Sequence, residues 1–300
     1  MTTQLLFIQC LSPLHAGTGQ STGAIDLTVA RDVVTGYPLL PGSSLKGSLR
    51  ARSQQLSPNT TTHVFGPEST NASEHAGALT VGDANLLLFP ARSVKGTFAF
   101  LTSPHQLRNF QRDAELAGIA GSQKWSVPTV TQAACLVAGD TLLVGNKVIL
   151  EELDLQASEA VAKEWAEHLT STISGLSDHD KKSISERLCI VDDDTLSFMT
   201  QYAMDVATRI SLEDETKTVK KGQLWTEENL PTESILISTL SATASRKPRQ
   251  NGDADQDENA ILAHVRALTQ QPLSLGGNTT VGRGRSAFYL TGQNENGATR

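Results

Sequence analysis

Short apolar runs along the chain are separated by long polar stretches rich in glycine. LLFIQCLS at 4–11 is apolar at almost every position and predicts a strand buried on both faces. Residues 12–36, which hold Gly17, Gly19, Gly23 and Gly36, predict a loop. After Pro41-Gly42, the positions of Leu45, Leu49 and Leu56 predict a helix over 43–56, capped by Ser43 or Ser44. Residues 78–88 and 94–102 predict strands, and Ser103-Pro104 opens a helix to about Phe110. Val161, Trp165, Leu169, Ile173 and Leu176 recur every three or four residues and predict an amphipathic helix over 155–175, with two more over 179–188 and 195–204. TRISLEDETKTVKKGQLWTEENLP alternates on either side of Lys220-Lys221-Gly222 and predicts a β-hairpin, followed by a strand in ESILISTLSA. Residues 243–259 carry no apolar pattern and predict a mobile loop. A helix over 260–270 follows, then a strand, a glycine-rich turn and a last strand ending at Leu290. Strands and helices mix without regular βα alternation, so the pattern favours an α+β fold.

Composition adds bounds. Three hundred residues hold one large domain with insertions or two small ones. No apolar run approaches the roughly 20 residues that span a bilayer, and MTTQLLFIQC lacks the basic start and length of a signal peptide. The expectation is a cytoplasmic protein without a membrane partner. Cys10, Cys135 and Cys189 have no zinc-ligand spacing and read as reduced, partly buried thiols. The net charge of −7 argues at first against nucleic acid. Its distribution removes the objection: residues 151–194 hold twelve acids against four bases, leaving 20 acids and 21 bases elsewhere. Phosphate contact follows local potential, so an acidic insertion is compatible with RNA on another face.

Three places carry candidate chemistry. In the helix at 43–56, Lys46 and Arg50 stand four apart on one side, near Ser43, Ser44 and a helix N-terminus suited to phosphate; the plainer reading is a solvated basic face. GGNTTVGRGR at 276–285 packs four glycines into nine residues, with Asn278, Arg283 and Arg285 beside them. This is either a turn needing positive φ or a backbone that a polyanion can approach. Asp26, between Ile25 and Leu27 in the first glycine loop, is an Asx turn or a carboxylate that binds a divalent cation or positions a ribose hydroxyl. His15 is its nearest acid–base partner in sequence, with a buried structural role the equal alternative. Asp192-Asp193-Asp194 has the carboxylates to bind a cation, but reads first as a solvated helix-capping turn. Ser43-x-x-Lys46 lacks the other elements of a serine acyltransferase, Gly17-x-Gly19 has no βαβ context, and no GxxxxGK[ST] loop is present.

Taken together, LHAGTGQSTGAIDLTVAR, PGSSLKGSLR, Val64-Phe65-Gly66, PARSVKGTFAFLTSP, the hairpin segment and GGNTTVGRGR resemble the RAMP superfamily of CRISPR proteins. They are most similar to the repeated backbone subunits of type III-B (Cmr) effector complexes. Residues 151–195 and 243–260 match poorly. The resemblance implies a single domain over 1–300, a modified RRM, ferredoxin-like palm from 1–150 and 236–292. It also implies an acidic helical insertion over about 151–204 and a thumb hairpin over about 205–235. Copies would stack head to tail on a guide CRISPR RNA, beside other Cmr subunits, and the thumb would displace a target base pair at regular intervals. Asp26 aligns with an aspartate required for divalent-metal-dependent cleavage of single-stranded target RNA, with Mg²⁺ the expected ion. Ser43, Ser44, Lys46, Arg50, Arg209, Gly276, Gly277, Asn278, Arg283 and Arg285 are the expected RNA contacts. The alternative is a non-catalytic guide-binding scaffold. With 5% aromatic residues and no RRM stacking motif, binding is expected at sugar and phosphate, as a subunit that accepts any guide requires.

Overall fold

The first apolar run forms β1 (Thr2–Cys10), and its alternation sends side chains into two separate cores. The computed structural model describes residues 1–20, 23–71, 73–159, 161–213, 219–248 and 256–292. After β1 come β2 (Gly17–Gln20), β3 (Leu27–Val29), β4 (Leu39–Leu40), α1 (Gly42–Leu56), α2 (Pro58–Phe65), β5 (Leu79–Val81) and β6 (Ala84–Arg92). The middle of the chain holds β7 (Phe98–Thr102), α3 (Pro104–Leu116), β8 (Ala134–Val137), β9 (Lys147–Leu150), β10 (Leu153–Ser158), α4 (Ala162–Thr172), α5 (Asp178–Arg187), β11 (Leu188–Val191) and α6 (Asp193–Tyr202). It ends with β12 (Asp205–Leu212), β13 (Val219–Asn229), β14 (Ile235–Ala242), α7 (Glu258–Leu268), β15 (Leu273–Ser274) and β16 (Arg285–Leu290). The fold is α+β.

One large sheet runs β15-β16-β1-β14-β6-β7-β11-β8-β10-β9, with β5 beside β14 and β4 beside β6. At its centre β16, β1, β14 and β6 are all antiparallel neighbours. Leu6 and Ile8 share a core with Leu45 and Leu49 of α1, Leu196 of α6 and Ile261 and Val265 of α7. Leu5 and Phe7 face the opposite core, with Phe110 of α3, Trp165 of α4 and Ile184 of α5. Helices therefore cover both faces of the sheet, which explains a strand apolar on both sides. A second sheet, β12-β13-β3-β2, contains the hairpin and the first glycine loop. Among the described residues no helix is long and apolar enough to cross a membrane. All three cysteines are buried and free.

Several element expectations change. The helix expected from 155 begins only at Ala162, because Leu153–Ser158 pairs with β8 and β9 as a strand. LCIV at 188–191 is also a strand, seated between β7 and β8. The strand expected over 78–88 is split at Gly82-Asp83. Leu56 is exposed, and Ser53 takes the buried position instead, bonded to Thr61 Oγ1 and His264 Nε2. Asp192 caps α6 by accepting from Thr195 N at 3.0 Å. The core of the expected mobile loop, 249–255, lies outside the described residues.

Candidate nucleic-acid interface and cleavage site

β13 is the spine of the candidate site, because successive residues on a strand point to opposite faces. Thr226 and Glu228 serve one face, Glu227 and Asn229 the other. β3 joins β13 in parallel with Leu27 opposite Glu227, which brings Asp26 alongside Thr226. Asp26 is exposed. Its Oδ2 accepts from Thr226 N at 2.7 Å and from Thr226 Oγ1 at 2.9 Å, while Asp26 N donates to Thr226 Oγ1 at 3.0 Å. These donors, the backbone N–H first, hold the Asp26 carboxyl below its ordinary pKa, so it is ionised at neutral pH. Oδ1 has no hydrogen-bond partner among the described residues.

The next residues of β13 lock neighbouring segments in place. Glu228, 3% exposed, accepts from Arg31 at 2.5 Å and from Val29 N at 3.0 Å. Arg31 also donates to Gly36 O and Thr200 O. Glu227, 1% exposed, accepts from Asn278 Nδ2 at 2.5 Å. Its Oε1 has only a 3.6 Å ion pair with Arg209, too long for a hydrogen bond. Arg283 reaches Asp205 at 3.2 Å.

His15 is buried, with Nδ1 at 2.7 Å from Glu228 O. Its own carbonyl accepts from Gly277 N at 2.9 Å. Here the glycines are required by space: a Cβ on Gly17 would stand 2.4 Å from His15 Nε2, and one on Gly276 (φ 70°) 2.2 Å from His15 O. The ring is a spacer between two glycine loops. No hydrogen bond or ion pair joins it to Asp26 among the described residues; its contacts run to the Glu228 carbonyl and the second glycine loop.

The structure thus brings Asp26, His15, Arg209, Gly276, Gly277, Asn278 and Arg283 into one connected cluster. The α1 residues stand apart from it. Neither Ser43 nor Ser44 caps the helix; both are exposed in its first turn, and Pro41 precedes it. The free N–H of Gly42 donates to Asp83 Oδ1 at 2.7 Å, so a carboxylate of the chain already meets this helix end. Lys46 donates to Leu79 O at 3.0 Å, and burial, then the Arg50 charge, hold its ammonium below the ordinary pKa. Arg50 donates to Phe65 O and Pro67 O. The expected free basic face is therefore largely engaged within the fold. Among the described residues, Arg285 is the one of the five expected cations without such a partner, and it is exposed. Thr226, Glu227, Glu228, Arg31 and Asp83 were not legible as site residues. The one signal was Glu227-Glu228-Asn229, three consecutive polar residues on a strand, which makes both faces polar at once.

Residues 7–288 match the RAMP superfamily, which covers most of the chain. The chain belongs to the RAMP superfamily. Within it, this RAMP chain is 33% identical over 306 residues to the CRISPR system Cmr endoribonuclease Cmr4 of Pyrococcus furiosus, covering 100% of the chain and 99% of that relative. It is 23% identical to the CMR subunit Cmr4 of Saccharolobus solfataricus, covering 93% of each. Oligomeric Cmr4 from Pyrococcus furiosus superposes with a TM-score of 0.74 at 27% identity, over 97% of this chain and 98% of that one. A chain of the type III-B Cmr-beta complex bound to cognate target RNA has the same fold, with a TM-score of 0.71 at 21% identity and 97% of each covered.

Proposed function

We propose that this chain is the repeated backbone subunit of a type III-B CRISPR effector complex in the cytoplasm. It binds guide CRISPR RNA, stacks head to tail with its own copies beside other Cmr subunits, and cuts single-stranded target RNA at regular intervals through Asp26. One observation carries the reading: an exposed, ionised carboxylate is clamped by one oxygen at the root of a hairpin, and its other oxygen has no partner among the described residues. The full-length relative named an endoribonuclease and the oligomeric solved relative support it.

The neighbour order β16-β1-β14-β6, with α1 and α7 on one face, supports the ferredoxin-like palm. The hairpin β12–β13 is the thumb. Ile210 pairs with Leu224, and the two are 50% and 63% exposed. An apolar rung of this kind suits a wedge that unstacks a base step. Displacement matters because helical stacking keeps the 2′-hydroxyl off line from the adjacent phosphorus. Turned out, its oxygen forms a bond to that phosphorus as the bond to the 5′-oxygen breaks. The hydroxyl proton leaves to solvent, and the departing oxygen takes one up. A carboxylate of low pKa is a weak base, so Asp26 orients the hydroxyl by accepting its hydrogen bond.

Among the described residues no group of three or more His, Cys, Asp or Glu side chains converges on a metal position. A lone carboxylate fits Mg²⁺, which takes one or two carboxylates and fills its shell with water and substrate phosphate. Asp26 would hold such an ion, which when bound offsets charge on the phosphate. Arg285 and the exposed turn at Ser43-Ser44 are the guide contacts best placed to accept phosphate.

The test is Asp26→Asn in the assembled complex. Guide retention and target binding should be unchanged and cleavage abolished. Cleavage at the normal rate would refute Asp26 as the cleaving carboxylate.

A further inference from the structure

Asp26 lies at the margin of its sheet. Leu27 opposite Glu227 is the ladder contact between β3 and β13, so Asp26 sits one residue beyond it. An exposed aspartate there would turn freely about its side-chain bonds. What stops it is Thr226, whose backbone N–H and hydroxyl both reach Oδ2 while the same hydroxyl accepts from Asp26 N. This closed ring of contacts is exposed, where a hydrogen bond adds little to stability. Thr226 also shares a face with the exposed Ile210–Leu224 rung two residues along β13, a spacing of about 7 Å. The hydroxyl therefore fixes the carboxylate relative to the hairpin.

We propose that Thr226 is the positioning residue of the cleavage site: its hydroxyl holds Asp26 by one oxygen, so that the other is presented in a fixed direction to a nucleotide displaced at the hairpin. The charged groups around it leave this clamp alone. Glu227 is taken up by Asn278 and Arg209, Glu228 by Arg31 and Val29, and His15 by the Glu228 carbonyl. The inference rests on Asp26 being the cleaving carboxylate, and the experiment separates the two.

Complexes assembled with Thr226→Val, Thr226→Ser or Asp26→Asn are compared on a labelled complementary RNA. Both the single-turnover rate at saturating complex and the target Kd are measured. Thr226→Val keeps the branched shape and the backbone donor but loses the hydroxyl. It should cut about 10–100-fold more slowly, the cost of a carboxylate misplaced by about an ångström, with Kd unchanged. Thr226→Ser should restore the rate to within about threefold, since its hydroxyl makes the same contacts. A threonine that merely stabilised the strand would not give this split between rate and affinity. If the valine variant fails to assemble, Thr226→Ala is read in the same way. Normal cutting by the valine variant while Asp26→Asn is dead overturns the proposal and spares the function. So does a valine defect confined to Kd, or one that serine does not rescue. Normal cutting by Asp26→Asn overturns both.

Discussion

Replacing Arg31 with alanine tests whether β13 holds the first glycine loop through its buried acids. Arg31 donates to Glu228 Oε1 at 2.5 Å, to Thr200 O at 3.0 Å and to Gly36 O at 2.9 Å. The side chains are 24% and 4% exposed respectively, so the alanine variant leaves the Glu228 carboxylate almost dry with one oxygen unpaired. Breaking one partner of a buried pair costs about 3–5 kcal/mol. The partial exposure of Arg31 lets water reach the gap, which places the expected loss near the lower end, about 3 kcal/mol. For a chain of 300 residues, whose unfolding entropy is about 2.1 cal/mol/K per residue, that is a fall in Tm of about 5 °C. Arg31→Lys should lose less, since an ammonium reaches some of the three acceptors but lacks the planar fork. The assay is urea and thermal unfolding of the isolated chain, with Glu228→Gln and the double variant completing a cycle. The double variant should lose clearly less than the sum of the singles, because the first substitution has already removed the shared contact. A loss below about 1 kcal/mol for Arg31→Ala, the range of a surface ion pair, or strict additivity in the cycle, would refute the anchoring argument.

Other outcomes follow from the same geometry. Gly276→Ala puts a Cβ 2.2 Å from His15 O at φ 70°, and should cost about 2–4 kcal/mol in unfolding experiments. Gly47→Ala, with nothing within 4 Å of its new Cβ, should instead stabilise the free chain by about 0.5–1 kcal/mol; weaker guide retention despite that gain would show RNA passing close to this turn. Arg285→Ala should leave stability within about 0.5 kcal/mol but flatten the salt dependence of guide binding by about 0.7 in slope. Arg50→Ala should chiefly lower Tm, because its donors serve Phe65 O and Pro67 O. Because the Asp26 pKa is lowered, its ionised form persists below the ordinary aspartate value of about 3.9. Loss of cleavage on acidification from pH 8 to pH 6 would therefore report another group, and an Asp26→Glu variant that moves that limb would contradict the assignment.

Elements with a periodic apolar face were readable from the chain: β1, α1, α4 from Trp165 onward and α7 each bury a stripe that the residues spell out. LCIV at 188–191 was not, because four apolar residues between two helices look alike as strand or as helix end. Asp26 and the glycine loops stood out by composition, and their proximity came from the hairpin that brings residue 226 to residue 26. The clamp itself was hidden, since a threonine in an alternating strand carries no sign of what it will touch. The surroundings of Lys46 and Arg50 were hidden as well. Four-residue spacing places them on one side of a helix, but says nothing of the carbonyls of Phe65, Pro67 and Leu79 that meet them there.

The position of β1 has a consequence for how the chain is made. Its two neighbours, β14 and β16, come from the last quarter of the sequence, with Gln9 opposite both Ile235 and Ala287. β1 therefore leaves the ribosome well before either of its partners. At about 5–20 residues per second, its apolar face waits roughly ten seconds or more for β14 to be synthesised. Such non-local pairing folds slowly and leaves a sticky edge in the interim. A chain stopped short of residue 235 has no mate for β1 at all, so premature termination should yield aggregated protein rather than a smaller working subunit.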